Sequence, residues 1–199
     1  TDARTGGVPA GLETISRGAA EIFAAAGAGD WEAATSTLGA MDAAWAAHQA
    51  TGTVPPLLDA QMSDALDALA GDALVPAVAD RNPEGARNAA LDVEMAALDL
   101  QLQYRPPAEI DLGRFSIWAD QLVVDAASDE PDAGLIAGDV TSLEWTWDRI
   151  AHTVDPADAD DIQARLEELR AAADDEDTAA AAEAAPWLVD TISRLRTTT

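Results

Sequence analysis

Ala26-Gly27-Ala28-Gly29-Asp30-Trp31-Glu32-Ala33-Ala34 reads as an apolar helix end, a glycine turn, an acidic cap and the start of a new helix. Glycine just past a helix end takes up the left-handed conformation with no Cβ penalty. Aspartate directly before the next apolar run offers its carboxylate to the first unpaired backbone amides. The same punctuation returns at Asp80-Arg81-Asn82-Pro83-Glu84, Ser128-Asp129-Glu130-Pro131-Asp132 and Asp174-Asp175-Glu176-Asp177-Thr178. The spacing is roughly 50 residues, in the range of repeated helical hairpins. It predicts an all-α chain of about eight helices, paired as four αα-hairpins in a bundle or short solenoid.

Working outward, apolar residues recur at helical spacing. The first helix is expected over Leu12–Ala26, with Leu12, Ile15, Ala19, Ile22 and Phe23 on one face. The second carries Trp31, Ala34, Leu38, Met41 and Trp45 and ends at the loop Thr51-Gly52-Thr53-Val54-Pro55-Pro56. The third carries Leu58, Met62, Leu66 and Leu69 and should break or kink at Gly71 and Pro76. The fourth runs from Pro83 to Tyr104, where Arg105-Pro106-Pro107 stops it. It has two apolar faces, one of Leu91, Met95, Leu98 and Leu102, the other of Val93, Ala97, Leu100 and Tyr104, so it is expected to lie between neighbours. Of its polar edges, Asp92/Asp99 and Glu94/Gln101, one should be partly buried. The fifth covers Leu112–Ala127 and the sixth Asp132–Thr153. Asp155-Pro156 reads as a cap followed by a first-turn proline and opens the seventh. The eighth carries Trp187, Leu188, Ile192 and Leu195, with Pro186 as a kink. Residues 1–11 form a polar lead or tether, and residues 12–199 a single all-helical domain.

The segment Gly29-Asp30-Trp31-Glu32-Ala33-Ala34 resembles the inter-helix region of tetratricopeptide-type repeats. There a small turn and an aromatic precede an alanine packed between helices. The resemblance covers a few residues per turn, and the period is about 50 rather than 34 residues. It implies convergence on helical-hairpin packing and nothing further.

The chain has 199 residues, 37 acidic and 11 basic, for a formal net charge of −26. All the basic residues are arginine. Such a surface repels phosphate backbones and anionic headgroups, which excludes nucleic acid and direct anionic-lipid binding as expected functions. Cations, basic protein surfaces and apolar docking partners remain. A plainer reading is an acidic, halophile-type soluble protein. Without cysteine there is no disulfide, thiolate metal site or cysteine nucleophile. The polar, Gly/Pro-bearing lead from Thr1 is read as a processed or lipid-tethered terminus, which predicts an extracytoplasmic place.

Candidate chemistry is sparse. Glu144, Asp148 and His152 stand at i, i+4 and i+8 on the sixth helix, a ridge that could hold a divalent metal. The ordinary alternative is a solvated ridge with a histidine favoured by the helix dipole. Met41, Trp45 and His48 border the stripe of the second helix, where thioether and imidazole could meet copper or haem iron. The ordinary alternative is that Met41 and Trp45 are core while His48 caps the stripe with a hydrogen bond. Large aromatics gather on helices four to six. From these, Tyr104, Arg105, Trp118, Trp145 and Arg149 are the expected interface, because Trp, Tyr and Arg dominate binding hot spots. Trp147 shares the apolar face of Val140, Leu143 and Ile150, whereas Trp145 points elsewhere, one turn before Arg149. That spacing predicts an exposed indole with a cation–π partner. No nucleophile elbow or phosphate loop is present, and no enzyme is expected.

The most concrete expectation is therefore a non-catalytic, extracytoplasmic module, secreted or tethered, that docks a protein partner, membrane-associated or free. The alternative is a metal-binding or metal-delivery protein. No cofactor is expected beyond that metal. The charge makes its own prediction. Screening lengths fall from about 30 Å at 0.01 M salt to about 10 Å at 0.1 M. The thermal midpoint should rise with NaCl over that range, and a flat or falling midpoint would show the carboxylates already paired or well spaced.

Overall fold

The computed structural model describes residues 7–50 and 67–198. The expected third-helix residues Leu58, Met62 and Leu66, the loop Thr51–Pro56 and residues 1–6 of the lead lie outside them. Among the described residues all regular structure is helical. It comprises α1 (Ala10–Ala28), α2 (Trp31–Ala50), a π-helical turn (Leu69–Leu74) running into the short α3 (Val75–Ala79), α4 (Pro83–Gln101) and α5 (Pro107–Ala126). Then come α6 (Ala133–Ile150), a 3₁₀ turn (Ala151–Thr153), α7 (Pro156–Asp174) and α8 (Thr178–Thr198).

Local chemistry places the ends. Gly29 closes α1 at φ 71°, and its amide bonds back to carbonyls of the last turn. Asp30 Oδ1 accepts from the Ala33 amide at 3.0 Å and starts α2. Asn82 caps α4 through the Gly85 amide, with Pro83 in the first turn. Asp132 accepts from the Gly134 and Leu135 amides, Asp155 from Ala157 and Asp177 from Ala180. Each cap satisfies amides that the helix itself cannot. The second and fourth turns use Arg81 and Glu176 at φ 53° instead of glycine. Several boundaries differ from expectation, among them the end of α6, which stops at Ile150 instead of Thr153. α4 ends at Gln101, three residues early, and α5 begins at Pro107, five residues early, because proline is well suited to a first helical turn. The expected break near Gly71 and Pro76 takes the form of the π-helical turn leading into α3.

The chain divides into two compact units, Thr1–Ile110 and Asp111–Thr199. In the first, α1 packs against both α2 and α4. Its core joins Leu12, Ile15, Ala19 and Ile22 of α1 to Ala34 and Met41 of α2 and Ala90, Val93 and Ala97 of α4. Small residues permit this approach. A Cβ on Gly11 would stand 2.7 Å from the Cβ of His48, and one on Gly18 would stand 2.4 Å from Met41 Cγ. Real Cβ atoms essentially never come that close, so glycine sets the α1–α2 distance at both levels. Of the polar edges of α4, the one buried is Glu94/Gln101, and Gln101 Nε2 donates to Ser16 Oγ at 2.7 Å.

In the second unit, α7 packs against both α6 and α8. The core takes Phe115, Ala119 and Leu122 from α5, Val140, Leu143 and Trp147 from α6, Ile162, Leu166 and Leu169 from α7, and Leu188 and Ile192 from α8. Phe115 and Trp147 stack with ring centroids 5.5 Å apart. The Trp147 indole N–H donates to Gln163 Oε1 at 3.1 Å, so its one polar atom is satisfied. α8 runs through Pro186 without interruption.

Candidate functional site

The expected metal ridge does not assemble. Glu144 faces α7, where Arg170 takes its carboxylate in a two-pronged grip and also donates to Thr141 Oγ1. That hydrogen bond and charge hold the Arg170 guanidinium more firmly protonated. Asp148 is exposed. His152 is exposed too, but α6 stops at Ile150, and His152 sits in the 3₁₀ turn beyond it. A 3₁₀ turn advances about 120° per residue rather than 100°, which rotates the imidazole off the ridge. Among the described residues no group of three or more His, Asp or Glu side chains comes together to hold a metal.

The second candidate also separates into ordinary parts. Met41 is a core residue packed at Gly18. The His48 ring stacks on Trp45 at 5.4 Å, and the Trp45 indole N–H donates to Asp67 Oδ1. Thioether and imidazole are thus engaged separately.

The five expected interface residues divide between the units. Tyr104 packs half-buried against the first core, and Arg105 stands 3.6 Å from Glu13 of α1. Trp118 is half-buried against the second core. Trp145 is 69% exposed. Its expected cation–π partner is elsewhere: Arg149 is a two-pronged donor to Asp111, at 2.9 and 3.1 Å. Arg114 joins the same carboxylate at 3.0 Å. Burial pushes the Asp111 carboxyl up, but the two arginines together outweigh it and hold the group below the usual carboxylate range. The helical wheel could not foresee this, because Asp111 lies 38 positions away from Arg149. Cation–π contacts are formed instead by Arg87 over Phe23 and Arg165 over Trp187, at 4.4 and 4.8 Å.

Sequence reasoning missed the companion of Trp145. Leu135 is 58% exposed on the same helix. At 100° per residue, Leu135, Gly138, Ser142 and Trp145 fall within one outward stripe. Ten residues of α-helix put the two large side chains about 15 Å apart along the axis. Between them, a Cβ on Gly138 would meet nothing within 4 Å, and the Ser142 hydroxyl turns back to the Gly138 carbonyl at 3.0 Å. The result is an open apolar shelf with a large residue at each end.

The second unit also pairs a buried carboxyl with a half-buried one. Asp139 of α6 is 5% exposed, and its Oδ2 reaches no donor. Burial first, then the charge and hydrogen bond of Asp125, push its carboxyl up to about 8. Asp125 accepts in turn from Gln121 Nε2 at 3.0 Å. At neutral pH Asp139 therefore carries a proton that it can donate to Asp125. Alongside this geometry, comparison with protein-family models, curated proteins and solved structures gave no match.

Proposed function

We propose that this chain is a non-catalytic docking module that presents the outer face of α6 to a protein partner. The observation that carries the reading is Trp145, a large indole 69% exposed on a rigid helix. An aromatic held in solvent by regular structure is poised to bury most of its surface against a partner. Leu135 supplies a second anchor, and the shelf between them accepts a partner's side chains. Arg149, fixed by Asp111 at the near end of the stripe, is an oriented cation at the border of the apolar patch. The surrounding charge of −26 favours a partner with a basic rim, through steering and exclusion of acidic competitors. The same proposal puts the module outside the cytoplasm, secreted or tethered, with a partner that is membrane-associated or free. Among the described residues no helix is long and apolar enough to cross a membrane.

The test is site-specific photocrosslinking in the source cells. Probes at Ser142 and Trp145 should yield one defined protein adduct, while a probe at exposed Glu167 on α7 should not. With the adduct identified, Trp145→Ala should weaken its binding by about thirtyfold, the equivalent of roughly 2 kcal/mol. Adducts of equal yield from both faces, or binding indifferent to Trp145→Ala, would remove the docking face.

A further inference from the structure

We propose that the first unit holds a binding site for a small amphiphilic organic cation, an ammonium group carried on an apolar body about the size of a benzene ring. The site is a cavity of about 120 Å³ bounded by α1, α2, α3, α4 and the π-helical turn. Its walls are apolar, with Ile15, Leu38 and Val93 contributing. An engineered apolar cavity of about 150 Å³ stays dry and takes up benzene, so this volume suits an aromatic ring or a short alkyl chain.

Among the described residues, the charged groups lining the cavity are the carboxylates of Asp42 and Asp67, and both are exposed, on its solvent side. Asp67 is oriented by two donors, the Trp45 indole N–H and Gln49 Nε2, the latter at 3.2 Å. A carboxylate has about four acceptor sites, so two neutral donors leave its charge and further lone pairs for a cationic head. Trp45 itself lines the space, and an indole wall favours a cation as well as an apolar body. A neutral or anionic ligand would leave the carboxylates unanswered or oppose them.

The backbone gives a second, independent sign. The stretch Leu69–Leu74 is π-helical, a local widening often found at functional sites. Gly71 stands within it and lines the cavity, and a Cβ placed there would meet nothing within 4 Å. Glycine is a poor helix former, and no neighbouring atom requires it here. Gly71 is exposed, so its smallness leaves the mouth of the cavity open.

The test uses the full chain and isothermal titration calorimetry in 0.15 M NaCl, with three probes. Benzylammonium carries both features, methylammonium the charge alone and benzyl alcohol the body alone. Benzylammonium should bind one per chain with a submillimolar Kd, and each of the others at least about tenfold more weakly. Gly71→Leu should fill the cavity, abolish measurable benzylammonium binding and leave the helical signal intact. Asp42→Asn and Asp67→Asn alter exposed positions and should each weaken binding about fivefold or more, which keeps the test alive should Gly71→Leu fold poorly. Equal binding of methylammonium would show the general attraction of an acidic surface and overturn the site. So would equal binding of benzyl alcohol, absence of benzylammonium binding, or indifference to all three substitutions.

Discussion

Trp147→Ala is expected to destabilise the second unit by about 3–5 kcal/mol, whereas Trp145→Ala, two residues away, should change stability by no more than about 0.5 kcal/mol. The two indoles sit on one helix with opposite surroundings. Trp147 is 2% exposed, stacked on Phe115 and hydrogen-bonded to Gln163. Truncation there leaves a cavity and removes the indole hydrogen bond to Gln163. Trp145 loses only solvent-facing surface. Against a typical stability of about 5–15 kcal/mol, the first variant approaches the limit of folding. Urea titrations followed by far-ultraviolet circular dichroism give both values. A large loss for Trp145→Ala would show that the indole supports the fold, and would withdraw the observation on which the docking face rests.

Asp139→Asn is expected to stabilise the protein at pH 8 by roughly 2–4 kcal/mol, with a gain that shrinks towards zero near pH 4. The sign follows from the proton count. In the unfolded chain Asp139 titrates near 3.8, and in the folded chain near 8. Between those values the folded protein holds a proton that the unfolded chain has released. Stability from this site therefore falls as pH rises from about 4 to about 8, then levels off. Asparagine keeps the shape, carries no charge and can donate its amide to Asp125. Asp111 acts in the opposite sense. Its lowered pKa contributes stability that is present above 3.8 and is lost as pH falls through the folded value. The variant should keep that acid limb while its alkaline limb rises. Thermal unfolding at pH 5 and pH 8 separates the cases. A gain of the same size at both would mean that Asp139 carries no extra proton in the fold.

Much of this architecture is legible along the chain. Asp30, Asp132, Asp155 and Asp177 cap helices because a carboxylate just before an apolar run has amides within reach, a purely local relation. The opposite fates of Trp145 and Trp147 also follow from angle alone, since two residues turn a helix by about 200°. The wheel fails where the partner lies on another helix. Arg149–Asp111, Arg170–Glu144 and Asp139–Asp125 depend on how far each helix slides along its neighbour, which no single period encodes. It fails again at His152, where the ridge was extended past the end of α6 into a turn of different pitch. The cavity of the first unit was equally hidden. Trp45 and Gly71 belong to it only once α2 and the π-helical turn face each other.

The two-pronged ion pairs of the second unit have a consequence for control. Both Asp111–Arg149 and Glu144–Arg170 use guanidinium, which stays charged at any pH the fold survives. The chain has no lysine anywhere. Acetylation and ubiquitination, which act on lysine side chains, therefore find no side-chain target here. Cells commonly adjust a protein's charge by acylating its amines. In this molecule the positive half of these pairs rests on arginine and is out of reach of lysine acylation, while the carboxylates remain open to protonation and to bound cations.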